Sequence, residues 1–346
     1  MLLVRQGRRS GLYTIVAVHS TARGPSLGGC RMWTYANPWA AVMDAVRLSR
    51  AMTFKSAVAG LPLGGGKGVV MLPAGVPPPA GEERRAVLLD FADTVDALDG
   101  AYLTAEDVGT SEPDMRVIAE GTPHVSGLAE ERGGSGDPSP WTAVGVEHAI
   151  RVAGERALGT DSLEGRRITV VGLGHVGAPL AELLAEGGAR LLLADIDVRH
   201  RALAERLGAE WAEPAAALTA EVDVLAPCAL GGVLDEASVP ALRCRAVAGA
   251  ANNQLAHDGI ASLLAARGIL WIPDFVANAG GVINISAEFE NGGYSRERAD
   301  AKVRGVADTV HTVLDHAEAA GSTPLAAAME IARRRVEEGR AAASTA

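Results

Sequence analysis

Two lysines, Lys55 and Lys67, stand twelve residues apart in the stretch MTFKSAVAGLPLGGGKGVV. Between them lie a short apolar run, Pro62 and three glycines, Gly64 to Gly66. A lysine set between glycines and the apolar, strand-like run 69–72 is expected to be partly buried. Burial and a neighbouring cation each lower a lysine's pKa, by as much as ~3–5 units at full burial, and a neutral amine is a general base. The expectation is that both lysines point into one pocket with a glycine-lined floor. A phosphate-binding P-loop is excluded, because its spacing needs glycine at Leu61, Ser or Thr at Gly68, and a helix afterwards. Asp107, in the acidic pair Glu106–Asp107, is the carboxylate to set beside the lysines. From the residues alone it reads equally as an exposed loop acid or a helix cap, since Thr110 and Ser111 follow. Asn252, Asn253 and Asn278 each read either as turn residues or as polar groups at the ligand-binding edge of a parallel sheet.

These residues need elements to position them. Residues 12–19 (LYTIVAVH) alternate as a strand with β-branched residues in the middle, and the turn ARGPSLGG follows. Asn37 and Pro38 read as an N-cap with proline at the first helical position. Trp39, Val42 and Val46 at helical spacing carry that helix to about Met52 and leave Lys55 just past its end, where a lysine commonly caps the last carbonyls. A second helix is expected over 82–98, and a short strand over 101–104 delivers Glu106 and Asp107 into a loop. The segment RGGSGDPSP (132–140) is the expected linker. Beyond it come a helix over 142–153 and then alternating units: strand 168–171, helix 177–186, strand 191–194, helix 199–207, and strands 222–226, 246–248 and 269–272. Such alternation makes an α/β fold with a parallel sheet covered by helices on both faces. From Glu297 the tail is helical, with a break at 321–324.

Gly172, Gly174 and Gly177 form G-x-G-x-x-G after the strand ITVV and before a helix rich in Ala and Leu. In that setting the first glycine makes the tight turn, the second admits a pyrophosphate and the third lets the helix pack on the strand. The helix N-terminus offers free N–H groups and a positive dipole end to the phosphates. His175 and Val176 complete the turn. The next strand ends in Asp195, 23 residues after Gly172. A carboxylate there accepts from both ribose hydroxyls and repels a 2′-phosphate, which favours NAD over NADP. Arg199 and Arg201 lie nearby, able to accommodate a phosphate, or in the case of Arg199 to cover an adenine face.

Composition bounds the rest. A chain of 346 residues has room for two domains, and its 48% hydrophobic content is ordinary for a globular protein. No apolar run is long enough to span a membrane, and the start, MLLVRQGRRSG, lacks the order of a signal peptide. The formal net charge of −10 argues against nucleic acid or an anionic membrane as partner. Cys30, Cys228 and Cys244 are widely spaced and odd in number, which suits a reducing cytoplasm and gives no zinc spacing; no HExxH occurs, so no metal site is expected.

Taken together, AMTFKSAVAGLPLGGGKGVV, TAEDVGTSEPDM, GGSGDPSPWTAVGV, APCALGGVLDE and GAANNQLA resemble the Glu/Leu/Phe/Val dehydrogenase superfamily over nearly the whole chain, closest to its leucine, valine and phenylalanine members. The resemblance implies two domains separated by a cleft that holds the active site. Residues 1–138 would be the substrate and catalytic domain, completed by a C-terminal helix from about 318 to 346, and 139–317 a Rossmann-type NAD domain. It implies Lys55 as the carboxylate-binding lysine, Lys67 and Asp107 as the catalytic pair, Gly28 and Gly29 as backbone lining and Asn278 as a further holder of the carboxylate. Thr142 and the loop 227–231, with Cys228, Ala229 and Leu230, would contact the nicotinamide, and Asn252 would lie at the cofactor–substrate boundary.

By the same resemblance Ala105, Val282 and Ile285 are walls of the side-chain pocket. Alanine with two β-branched residues is more like leucine or valine dehydrogenase than the phenylalanine enzymes. Phenylalanine or tryptophan as substrate, or a catalytically silent NAD-binding relative, remain the alternatives. A homo-oligomer is implied, of a size the residues do not state. Gly68 stands where relatives commonly carry Ala, Ser or Thr, and is expected to loosen a turn around Lys67.

Overall fold

The computed structural model describes residues 1–345. By its internal contacts the chain divides into two compact units, one of residues 1–137, 285–296 and 332–346, the other of residues 138–284 and 297–331.

Unit 1 is built on a five-stranded sheet. Its strands are β1 (Leu2–Gln6), β2 (Tyr13–Ser20), β3 (Ser26–Thr34), β4 (Gly64–Leu72) and β5 (Tyr102–Glu106), in the order β1-β2-β4-β3-β5. The first three in that order pair antiparallel, while β3 runs parallel to both β4 and β5. Side chains alternate across a strand, so each face has its own core. One face carries Val16, Val18, Cys30, Met32, Val70 and Leu72, packed with Leu88, Phe91 and Val95 of helix α2 (Gly81–Asp96) and Met115 and Ile118 of α3 (Glu112–Ile118). The opposite face puts Ile15, Ala17 and Val69 against Ala41 and Ala45 of α1 (Pro38–Val58).

Helix α1 starts as expected, with the side-chain Oδ1 of Asn37 accepting from the Ala40 N–H at 2.9 Å and Pro38 in the first turn. It runs further than expected. Lys55 lies inside its last turn and not beyond its end, because the small residues Ser49, Thr53, Ser56 and Ala57 keep the helix in close contact with the sheet. The large apolar residues that suggested the helix do not make its buried face: Trp39 is 70% exposed.

Two further expectations are corrected. The strand read at 69–72 begins earlier, with Gly64 to Gly66 as the first residues of β4, and half of the turn ARGPSLGG is the start of β3. Glycine-rich segments read as turns from sequence; here neighbouring strands satisfy the backbone on both sides, with β4 central in the sheet.

Unit 2 is a six-stranded, all-parallel sheet. Its strands are β6 (Arg167–Val171), β7 (Arg190–Ala194), β8 (Glu210–Trp211), β9 (Val224–Pro227), β10 (Ala246–Val247) and β11 (Leu270–Trp271), in the order β11-β10-β9-β6-β7-β8. Read from the other edge this is 3-2-1-4-5-6, the doubly wound dinucleotide arrangement, whose strand order reverses between β6 and β9. Helices α4 (Ser139–Leu158) and α5 (Gly177–Glu186) belong to this unit, and α5 begins just after β6. The tail forms Arg296–Arg304, Val306–Ala320 and Pro324–Thr345, with Gly321 closing the second helix in the left-handed region at φ 57°. No helix among the described residues is long and apolar enough to cross a membrane.

Gly68 does not loosen a turn, because it lies within β4. A Cβ there would come within 2.4 Å of the Phe91 ring and 3.0 Å of the Tyr102 hydroxyl, both fully buried. Gly68→Ala is therefore expected to destabilise by roughly 1–3 kcal/mol, read as a lower urea midpoint, and Phe91→Leu in the same chain should recover part of it. A midpoint equal to that of the unsubstituted chain would mean that the ring has room to move.

Candidate active site

In unit 1 the alternation of β4 sends Lys67 to the same face as Val69, toward α1, whose last turn carries Lys55. Lys67 is buried, its side chain 6% exposed, and its Nζ lies 2.9 Å from Oδ2 of Asp107. Asp107 follows directly on β5, and β3 lies between β4 and β5. Neighbouring strands are about 4.8 Å apart, so the ion pair crosses the width of a strand. The residues of β3 at the crossing are Gly28 and Gly29, paired with Thr104 and Ala105 of β5. A Cβ on Gly29, which shares a face with Arg31, would come within 2.7 Å of the Asp107 Cβ, whereas Gly28 faces the other way and a Cβ there would strike the Gly66 carbonyl at 1.8 Å. Only glycine leaves the path open. The Tyr102 hydroxyl holds this backbone from the other face, donating to the Gly28 carbonyl at 2.5 Å.

The loop that presents Asp107 is tied down locally. The Asp107 N–H donates to the Thr110 Oγ1 at 3.0 Å, and the Thr110 hydroxyl lies 2.7 Å from the Cys30 carbonyl. Burial pushes the Asp107 carboxyl up, but the positive charges of Lys67 and Arg31 outweigh that and hold it below the usual carboxylate range. Arg31 was missed by sequence reasoning. Its Nε donates to the same Oδ2 of Asp107 at 2.9 Å, and its Nη1 donates to Oδ2 of Asp44 at 3.0 Å. A signal was present: a charged residue in the middle of the strand SLGGCRMW, two places after Gly29 and so on the same face. Ala105 is buried on β5, one residue before Glu106.

In unit 2 the three glycines of the fingerprint have three different surroundings. Gly172 adopts φ 100°, in the left-handed region, and a Cβ on it would come within 2.6 Å of Ala229. Gly177 opens α5, and a Cβ there would meet the Gly172 carbonyl at 1.8 Å. A Cβ on Gly174 would meet nothing within 4 Å. The outer two glycines are thus required by packing, and the middle one by nothing in the chain itself, which fits a phosphate laid against its backbone. His175 is exposed and Val176 half-buried beside it. Asp195 follows β7 directly and accepts from the Leu173 N–H at 2.6 Å and the Asp197 N–H at 2.8 Å. Burial raises its carboxyl, but these N–H groups and His200 bring it below the ordinary range. Arg199 points to neither alternative of the sequence reading: its guanidinium is paired with Asp197, Nη2 to Oδ2 at 2.6 Å.

The remaining residues of unit 2 gather at the ends of the central strands. Cys228 follows β9, its thiol pushed up to about 12 by burial, and Ala229 and Leu230 beyond it are exposed. Thr142 lies in the first turn of α4 and donates to the Pro138 carbonyl at 3.0 Å. Asn278 is buried, and its Nδ2 donates to the Ala250 carbonyl at 3.0 Å and to Oδ1 of Asn252 at 2.8 Å. Its own Oδ1 is buried without a hydrogen-bond partner. That atom is an acceptor, so in this orientation it suits an N–H or O–H group; holding a carboxylate requires the amide to turn over. Val282 of unit 2, and Ile285, with which a stretch of unit 1 begins, are buried one turn apart on the helix Gly280–Ser286.

Residues 3–124 match the family model described as Glu/Leu/Phe/Val dehydrogenase, dimerisation domain, and residues 192–343 match Glutamate/Leucine/Phenylalanine/Valine dehydrogenase. The chain is 42% identical over 346 residues to the leucine dehydrogenase of Thermoactinomyces intermedius, covering 99% of this chain and 92% of that one. It is also 42% identical over 339 residues to the valine dehydrogenase of Streptomyces virginiae, covering 97% and 93%. Among solved structures, L-tryptophan dehydrogenase from Nostoc punctiforme superposes with a TM-score of 0.83 at 34% identity, covering 98% of this chain and 96% of that one. Carrying both matching regions, and sharing this identity over nearly its full length, the chain belongs to the Glu/Leu/Phe/Val dehydrogenase family.

Proposed function

We propose that the protein catalyses the reversible NAD-dependent oxidative deamination of an apolar L-amino acid, with leucine, valine and isoleucine favoured. The products are the 2-oxo acid and ammonia, and the balance consumes one water and releases one proton. The observation that carries this reading is the buried Lys67–Asp107 pair, 2.9 Å apart across a glycine strand. The relatives named leucine and valine dehydrogenase support the substrate class.

Each group has a proposed task. Lys55 supplies a fixed positive charge for the substrate carboxylate. Gly172, Gly174 and Gly177 would hold the pyrophosphate of NAD and Asp195 its ribose, and the bound nicotinamide would supply the hydride acceptor for Cα. Thr142, Asn252 and the loop with Cys228, Ala229 and Leu230 orient that end. Lys67 takes a proton from the water that attacks the substrate iminium. Asp107 relays protons as the carbinolamine collapses, and its ionised carboxylate offsets the positive charge of the iminium. By the family resemblance Ala105, Val282 and Ile285, each buried, would be the apolar walls for a substrate side chain. A hydrophobic pocket discriminates one methylene by only ~1–3 kcal/mol, so overlapping use of Leu, Ile and Val follows. The free cysteines suit a reducing cytoplasm. The exposed Trp39, Met43 and Val46 of α1 suit a homo-oligomer.

Three measurements test this. Rates with leucine, valine, isoleucine, phenylalanine and tryptophan should rank the branched-chain substrates first; a clear aromatic preference would transfer the assignment to the alternative of the same family, and no turnover with any 2-oxo acid plus ammonia and NADH would end the enzyme reading. Lys67→Ala should lower kcat by about 10²–10⁴-fold while NAD still binds by fluorescence titration; turnover within a fewfold of the unsubstituted chain removes Lys67 from the mechanism. Asp195→Ala should weaken NAD binding and narrow the preference over NADP, and an unchanged preference would count against its ribose role.

A further inference from the structure

The proposed mechanism uses Lys67 and Asp107 and leaves Arg31 without a task. Yet Arg31 shares an oxygen with Lys67: Arg31 Nε and Lys67 Nζ both lie 2.9 Å from Oδ2 of Asp107. Arg31 is itself clamped from its other end. Its Nη1 lies 3.0 Å from Oδ2 of Asp44, which also accepts from the Tyr35 hydroxyl at 2.8 Å, and Oδ1 of Asp44 pairs with Arg47 at 2.7 Å. The result is a chain of alternating charges, Lys67–Asp107–Arg31–Asp44, laid along the α1 face of the sheet.

We propose that Arg31 is a positioning residue for the reaction, which fixes the Asp107 carboxylate on Lys67 and keeps it ionised when Lys67 gives up its proton. This rests on the roles assigned above to Lys67 and Asp107. The argument is electrostatic. If Lys67 were the only cation on Asp107, neutralising it would leave a partly buried carboxylate unpaired, and the proton would return to the pair. A guanidinium stays charged throughout and presents rigid, planar donors, so its contact with Asp107 is the same in both states of the lysine. Lysine at position 31 cannot reproduce this, since it has no fork to span Asp107 and Asp44 together.

Other groups on the packed elements have their own settings. On α1 these are Lys55, Asp44 and Arg47; at the end of β5 it is Glu106. On β2, His19 lies 2.9 Å from the Thr53 hydroxyl of α1. Across the sheet, Arg84 of α2 is paired with Asp114 of α3 at 2.7 Å. The buried Cys30 thiol is pushed well up, chiefly by burial, and stays neutral. Tyr35 is likewise pushed up, by burial and by Asp44.

The test is the pH profile of kcat/KM for leucine in Arg31→Met and Arg31→Lys, beside the unsubstituted enzyme. Arg31→Met should lower kcat at least tenfold, leave the KM for leucine and the NAD affinity within about threefold, and move the acidic limb up by about one pH unit. Arg31→Lys should restore the position of the limb but only part of kcat. A limb in Arg31→Met that superimposes on that of the unsubstituted enzyme, or a loss confined to KM, would overturn the proposal and make Arg31 an ordinary structural ion pair. If Arg31→Met fails to fold, Asp44→Asn keeps Arg31 and Asp107 charged while it loosens the clamp and removes the Asp44 charge: kcat should fall with no upward move of the limb, and an unchanged kcat would overturn the proposal. If the unsubstituted enzyme turns over no amino acid, the function reading fails by itself. The Arg31 claim is then read from the 13C carboxyl shift of Asp107, which should titrate at higher pH in Arg31→Met, and an unchanged titration would overturn it.

Discussion

An amine and a carboxylate held 2.9 Å apart across an intervening β-strand need an empty lane over that strand. Here the lane is opened by Gly29 of β3, and the other features of unit 1 follow from it. Backbone without side chains has to be held by neighbours, so β3 is paired on both sides and the Tyr102 hydroxyl braces the Gly28 carbonyl from below. The glycines of β4 answer the same demand on the opposite face, where Phe91 and Tyr102 press against the strand at Gly68 and Gly66. Large aromatic side chains support the sheet from one side so that the other side can stay open around Lys67.

Charge in such a place is costly unless paired: breaking a buried ion pair from one side costs about 3–5 kcal/mol. The structure meets that cost with alternation of sign, from Lys67 through Asp107 and Arg31 to Asp44. Asp195 in unit 2 reaches the same end by other means, chiefly two backbone N–H groups, with His200 beside them. In both cases burial alone would raise the carboxyl, and specific donors reverse it. Both acids are therefore ionised at neutral pH before any ligand arrives.

Much of the fold was legible. The N-cap at Asn37, the β–α alternation after residue 160 and the break at Gly321 are local signals, and local chemistry enforces them. The errors cluster where a glycine-rich segment meets a sheet. The strand read at 69–72 takes in Gly64 to Gly66, permissive residues that carry no strand signal, because two neighbours pair with them. Strand β1 and the two-residue strand β8 went unread, being short edge strands with little apolar alternation. Lys55 was placed past a helix end that in fact lies three residues beyond it, since the contacts that lengthen α1 come from small residues whose burial has no signature in hydrophobicity.

The sequence by itself determined the types of chemistry available: two lysines near glycines, an acid after a strand, a G-x-G-x-x-G turn with an acid at the end of the next strand. Those are matters of residue identity and short spacing, and the family likeness follows from them. Only the tertiary structure decided which groups share an atom. Arg31 is 76 residues from Asp107, and their contact exists because β3 pairs with β5 in one particular register, with Cys30 beside Glu106. A shift of that pairing by one residue would turn Arg31 to the opposite face. Register between distant strands is set by the packing of the whole sheet, and no local pattern in the chain records it.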